Sequence, residues 1–110
     1  MIKIKTTVEF EKWKKALCEK EKYQILARLK NVKNYAHFGD AKYLGKRLSE
    51  LRWKNGRRIY FYREDNKIII LIIGGLKNEK KKDIKKAHLF LKRYADYKDK
   101  KENEKEIKNS

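Results

Sequence analysis

Residues 48–75 read LSELRWKNGRRIYFYREDNKIIILIIGG, and this stretch decides the fold. At its centre stands Asn55-Gly56, two residues that both tolerate positive φ and form the strongest short hairpin signal in the chain. Before the turn, Leu48 to Trp53 reads as a strand, with Leu51 and Trp53 on one face and Glu50, Arg52 and Lys54 on the other. After it, Arg57 to Arg63 sets Arg57, Ile59 and Phe61 against Arg58, Tyr60 and Tyr62. Glu64-Asp65-Asn66 makes a second turn, and Lys67 to Ile73 follows as a strand with no polar face. A strand apolar on both faces is covered on both, which places it centrally in a sheet. Gly74-Gly75 ends it.

Outward from this block, the periodicity changes. Toward the N-terminus, Tyr35 to Gly45 reads as a loop around Gly39-Asp40. Before it, Lys20 to Asn34 carries Ile25, Leu29 and Val32 at helical spacing, with Leu26 beside them. A shorter helix over Thr7 to Cys18 puts Phe10, Trp13, Ala16 and Leu17 on one face, and Thr6 with Glu9 resembles a capping box. Ile2-Lys3-Ile4-Lys5 alternates as a first strand. Toward the C-terminus, Glu79 to Tyr94 repeats apolar groups at Ile84, Ala87, Leu91 and Tyr94, a last helix. The order is β-α-α-β-β-β-α, an α+β fold with helices segregated from a small antiparallel sheet.

Composition bounds the rest. The 110 residues fit one domain, and 40% hydrophobic residues suffice for one modest core. Residues 1–95 form that domain; residues 96–110, with five Lys and five acids, form a neutral tail read as a frayed helix or disordered. The formal charge of +17 therefore belongs to residues 1–95. A single Cys excludes an intramolecular disulfide and a thiolate metal cluster, and fits a reducing cytoplasm. The longest apolar run, Ile68 to Ile73, is far short of the ~18 residues that a membrane helix needs. No His or carboxylate cluster has metal-ligand spacing, so neither metal nor cofactor is expected.

The charge is also clustered. Lys42 to Arg58 holds seven basic groups against Glu50, and Lys77 to Arg93 holds eight against two acids. A one-signed field of this kind seeks a polyanion, nucleic acid above all. The plain alternative is a solvated Lys-rich surface, which the Arg clustering argues against.

With these elements in place, the chain resembles the RelE/ParE toxin superfamily over roughly residues 2 to 95. The resemblance is carried by Phe10…Trp13, His37-Phe38-Gly39-Asp40-Ala41-Lys42, Leu48-Ser49-Glu50-Leu51-Arg52, Gly56-Arg57-Arg58-Ile59-Tyr60-Phe61, Ile70 to Lys77 and Asp83-Ile84-Lys85-Lys86-Ala87. It points to the addiction-module killer proteins related to HigB. The resemblance implies the toxin of a type II toxin–antitoxin pair: a metal-independent endoribonuclease cutting ribosome-bound mRNA, or else a ParE-like inhibitor of DNA gyrase. A catalytically inactive, nucleic-acid-binding relic is a third reading. It also implies a cognate antitoxin, often of helix-turn-helix type, and a cytoplasmic protein with ribosome and mRNA as partners and no membrane.

Carried over residue by residue, the resemblance makes Arg58 the central cation of the Gly-x-Arg-x-Tyr segment, with Arg52 on the preceding strand and Lys77 after the last strand. Asn78 stands where RelE has an arginine, and Ile84 where RelE has a tyrosine, which leaves Tyr60 or Tyr62 as a candidate acid. Lys54, Arg57, Tyr62, Asn78, Lys80, Lys81 and Lys82 complete a candidate nucleic-acid surface. Tyr60 and Tyr62 read equally well as core or antitoxin-facing aromatics. His37, His88, Cys18, Asp40 and Asp83 read as structural.

Overall fold

Two tight turns set three strands side by side in a computed structural model, which describes the backbone of residues 1–109 and the side chains of residues 1–96. The elements in chain order are β1 (Lys3–Thr6), α1 (Val8–Lys15), α2 (Glu19–Tyr35), β2 (Ala41–Gly45), β3 (Leu48–Arg52), β4 (Arg57–Arg63), β5 (Ile68–Leu76), a 3-10 turn (Lys77–Glu79) and α3 (Lys80–Asn109). The sheet order is β1-β5-β4-β3-β2. The mixed α+β architecture follows the sequence reading, with three differences.

First, Ala41–Gly45 is an edge strand, not part of a loop. It pairs antiparallel with β3 through Ala41↔Leu51 and Lys42↔Glu50. Ala41, Lys42 and Tyr43 are exposed, so no apolar alternation marks them. The turn that follows was equally hard to see. Lys46 (φ 48°) and Arg47 (φ 69°) occupy left-handed positions usually given to Asn or Gly, and the Arg47 N–H is caught by the Tyr43 hydroxyl at 3.1 Å.

Second, the sheet is not wholly antiparallel. β1 runs parallel to β5, with Ile4↔Ile69 and Lys5↔Ile70 in register, and the α1–α2 hairpin lies in the connection between β1 and the rest of the sheet. β5 is an interior strand between β1 and β4, as its two apolar faces require.

Third, the core is double. Ile69 and Leu71 join Leu51, Ile59 and Phe61 against Phe10, Ile25, Leu29 and Val32 of α1 and α2. Ile70 and Ile72 join Leu48 and Tyr60 against Ala87 and Leu91 of α3. A register irregularity opposite Tyr60 and Phe61 re-aims the end of β5. Beyond it the strand carries two glycines because helices press on it from both sides. A Cβ on Gly74 would enter the Trp13 ring, and one on Gly75 would overlap the Asp83 carboxylate.

Helix starts are set by caps one or two residues from the expected ones. Thr7, not Thr6, caps α1: its hydroxyl accepts the Phe10 N–H at 3.0 Å and donates to the Ile72 carbonyl, tying the helix to β5. Cys18 is the N-cap of α2 rather than a packing residue at the end of α1, with Glu21 reaching back to its N–H. The backbone of α3 is helical through Asn109, beyond Tyr94 where the apolar spacing stops. The Lys- and Glu-rich sequence there has high intrinsic helix propensity and needs no apolar stripe.

Candidate nucleic-acid interface

One end of the sheet gathers the basic residues. β3 ends there, the Asn55-Gly56 turn leads into β4, and β5 runs out into the 3-10 turn and α3. Register places Arg52 directly across from Arg58, Glu50 across from Tyr60, and Arg58 across from Gly75. The Lys77 N–H donates to the Gly56 carbonyl at 2.7 Å, so the start of the 3-10 turn is tied to the hairpin tip. Arg52, Arg58 and Lys77, separated by up to 25 positions in the chain, thus share one sheet end.

Their side chains are held by different means. Arg52 donates from Nε and Nη2 to Asp40 Oδ1 at 3.1 and 2.8 Å, while remaining about one-third exposed. Its Nη1 also lies 4.0 Å from Glu50 Oε1. The Glu50 carboxylate is fully buried and takes Lys80 Nζ at 3.4 Å on the same oxygen. A buried carboxylate between two partly exposed cations fixes where both charges sit. Arg58 is half-buried and curls back, donating from Nη1 to the Trp53 and Arg57 carbonyls at 3.1 and 2.9 Å. The hairpin's own backbone therefore orients its guanidinium.

Beneath these cations lies a layer of buried polar groups. Among the described residues, Glu50 Oε2, Arg58 Nε, Tyr60 Oη and Asp83 Oδ2 are buried without a hydrogen-bond partner. Burial, with Glu50 and Asp83 nearby, pushes the Tyr60 hydroxyl up to about 12, against the opposing pull of Arg58. Burial, then Glu79, raises the Asp83 carboxyl, with Lys86 and Lys82 opposing. The sequence reading takes Asp83 as structural and gives Glu50 no role. Glu50's position on the polar face of β3, between Arg52 and a lysine-rich helix start, was the available signal.

The structure withdraws Arg57 and Tyr60 from the expected surface and leaves Tyr62 half-buried beside α3. Arg57 is buried on the opposite face, where Nη2 meets Glu21 Oε2 at 2.6 Å and Nη1 meets Gln24 Oε1 at 3.3 Å. It joins β4 to α2 and has no face for a phosphate. Tyr60 is fully buried, so it neither stacks on a base nor meets a leaving group from the surface. Tyr62 lies further along β4, its ring edge-on to Tyr94 at 6.1 Å under α3. Lys54, Lys77, Asn78, Lys81 and Lys82 are exposed, and Lys77, Asn78, Lys80, Lys81 and Lys82 line one shallow depression with Glu79 and Ile84. The exposed His37 gives its N–H to the Asn31 carbonyl, a helix-end contact.

Sequence reading missed Arg28. Its guanidinium bonds the Phe38 carbonyl at 2.8 Å, the Asp40 carbonyl at 2.7 Å and the Arg52 carbonyl, and stacks 4.4 Å from the Trp53 ring centre. It joins α2 to the segment that leads into β2 and to the end of β3. It is the only arginine of a helix otherwise supplied with lysines, and that was the one available signal. Gly39, at φ 70°, sits where a Cβ would press on this guanidinium at 3.3 Å.

Among the described residues, no group of three His, Cys, Asp or Glu is placed to hold a metal ion, and no helix is long and apolar enough to cross a membrane.

No family model matches the chain. An uncharacterized protein of Haemophilus influenzae is 37% identical over 92 residues, covering 81% of this chain and 92% of that protein. Among solved structures, a chain of the intact Escherichia coli RelBE toxin–antitoxin complex superposes with a TM-score of 0.60 at 16% identity, over 69% of this chain and 96% of that one. The isolated E. coli RelE toxin gives 0.59 at 16% identity, over 69% and 84%. A conserved hypothetical protein of Helicobacter pylori gives 0.51 at 17% identity, over 71% and 97%.

Proposed function

We propose a function for a chain that belongs to one family with the Haemophilus influenzae protein and has the RelE fold: it is the toxin of a type II toxin–antitoxin pair and cleaves mRNA on the ribosome. The shared motifs favour the killer-protein branch related to HigB. One observation supports this reading above the others. The cross-strand pair Arg52 and Arg58 lies at the sheet end that Lys77 and Lys80 also occupy, and hydrogen bonds or ion pairs fix the two arginines and Lys80.

The reaction that fits such a site is attack of a ribose 2′-oxygen on the adjacent phosphorus. The 2′-O–P bond forms, the P–O5′ bond breaks, the 2′-hydroxyl gives up its proton and the leaving 5′-oxygen gains one. A 2′,3′-cyclic phosphate and a 5′-hydroxyl result, without a metal. Charge builds on the phosphorane oxygens, and preorganised cations stabilise that charge more than they stabilise the substrate. Arg58 and Arg52 take this role, with Lys77 beside them. Lys54, Asn78, Lys81 and Lys82 hold flanking phosphates. With Tyr60 buried, it is left out of the reacting set.

The partner in the cell is an antitoxin, of helix-turn-helix type by analogy with the branch, and the site of action is the cytoplasm. Inducible expression of the chain alone, with 5′-end mapping of cellular mRNA, tests the reading. Cuts inside translated codons that disappear when initiation is blocked are expected, and Arg58→Ala should abolish them along with growth arrest while far-UV circular dichroism stays native. Growth arrest with intact mRNA and gyrase–DNA cleavage complexes would replace this reading with the gyrase one. A folded protein without any growth effect would replace it with the inactive one.

A further inference from the structure

A groove between α2 and the β3–β4 hairpin, of about 610 Å³, lies on the face of the sheet opposite α3. Tyr23, Gln24, Arg28 and Asn31 of α2 face Trp53 and Lys54 of the hairpin across it. We infer that this groove takes one unpaired RNA base, a contact distinct from Arg52, Arg58 and Lys77 that shares only Lys54 with the phosphate-holding set; the choice of RNA rests on the function proposed above.

The polar chemistry of the groove leans toward donors. Arg57, buried beneath, takes the oxygens of two amides: its Nη1 donates to Gln24 Oε1 at 3.3 Å, and its backbone N–H donates to Asn55 Oδ1 at 3.0 Å. With one lone pair of each oxygen turned to Arg57, the NH2 groups are the more available part of the two amides. The Lys54 ammonium adds donors and charge at the rim. The groove therefore selects a ligand rich in acceptors, as the carbonyl oxygens and ring nitrogens of a nucleobase and its phosphate are.

The walls select a flat ring. Tyr23 stands 75% exposed on the α2 side of the groove. Trp53 lines the other side, its orientation fixed by the Arg28 guanidinium, which is itself anchored to three carbonyls. Unpaired bases are held in this way, stacked on aromatic rings and bonded along their edges. An acidic protein segment would satisfy the donors but leave the rings unused.

The test is a fluorescence titration of the full chain with hexa-adenylate RNA and with an abasic hexamer of equal charge, at fixed salt. The base-bearing oligomer should bind about tenfold more tightly than the abasic one, the increment of one stacked base. It should also quench emission that Trp53→Phe removes. Tyr23→Ala and Asn31→Ala, both at exposed positions, should erase the increment while keeping the wild-type circular dichroism. Equal affinity for the two oligomers would overturn the inference, as would an increment that survives Tyr23→Ala. So would an acidic peptide that binds the groove while hexa-adenylate does not. Lys77→Ala separates the two sites: it should weaken cleavage and leave the increment intact. Loss of the increment in a chain that still cuts mRNA would remove the groove and spare the cleavage reading; no cutting with the increment present would do the reverse.

Discussion

Gly75 and Asp83 show how closely single residues are specified here. The Asp83 carboxylate occupies the space that a side chain at position 75 would fill. Gly75→Ala should therefore cost about 1–3 kcal/mol, the usual range for overpacking a core, measured by urea denaturation. Adding Asp83→Ala to that variant should return most of the loss, a coupling that independent sites would not show. Asp83 also carries a pH signature. Its carboxyl titrates higher in the folded than in the unfolded chain, so the native state binds the proton more firmly, and stability falls as pH rises through that interval. Asp83→Asn, which cannot ionise, should gain thermal stability relative to the parent chain near pH 7. The gain should vanish as pH falls to the unfolded carboxylate range near ~4, where both chains are neutral at this position. Legibility at this scale followed the β alternation. It put Arg57 with Ile59 and Phe61 on the core-facing side, a direct clue to its burial that reading it as a phosphate ligand passed over.

At the scale of elements, the helices and the long hairpin were legible because each has an apolar period that burial enforces. Phe10, Ile25, Leu29, Val32, Ala87 and Leu91 are all buried where the spacing put them. β2 was not legible, because an edge strand is defined by hydrogen bonds to its neighbour and, Leu44 apart, its side chains stay exposed. Its turn, built from Lys46 and Arg47 in left-handed conformations, lacks the residues that announce such turns. The cap of α1 offers a prediction. Thr7 accepts the Phe10 N–H and also donates to β5, so Thr7→Ala should destabilise the protein by about 1–2 kcal/mol, the upper part of the range for a lost N-cap. Thr6→Ala should cost less in the same urea titration, although the sequence reading makes Thr6 the cap.

At the scale of the whole molecule, the charge of +17 is the dominant fact. It weakens compaction by self-repulsion and draws the chain to polyanions. The fold turns part of this charge inward. Arg57 and Arg28 are spent on tying α2 to the sheet, and Glu50 fixes Arg52 and Lys80. The salt dependence of RNA binding should separate the two populations of cations. Each of Lys77→Ala, Lys81→Ala and Lys82→Ala should reduce the slope of log affinity against log salt by about 0.7, the release of one counterion from a single strand. Arg57→Ala should leave that slope unchanged while lowering the urea midpoint, because its charge is already matched by Glu21.

The sequence by itself determined the type of every helix and of every strand but β2, the hairpin at Asn55-Gly56, the two-faced interior strand and the basic character of the chain. All of these depend on local conformational preference or on periodic burial, which are written in consecutive residues. Only the tertiary structure decided the parallel pairing of β1 with β5, the edge strand β2 and the division of the core between two faces of one sheet. It alone decided which cations remain available. Arg52 and Arg58 became cross-strand neighbours, while Arg57, one position from Arg58, went to the opposite face. The strand's period of two sends adjacent arginines to different environments. Whether the environment is a phosphate or a buried glutamate depends on which helix packs there, and no short-range pattern records that.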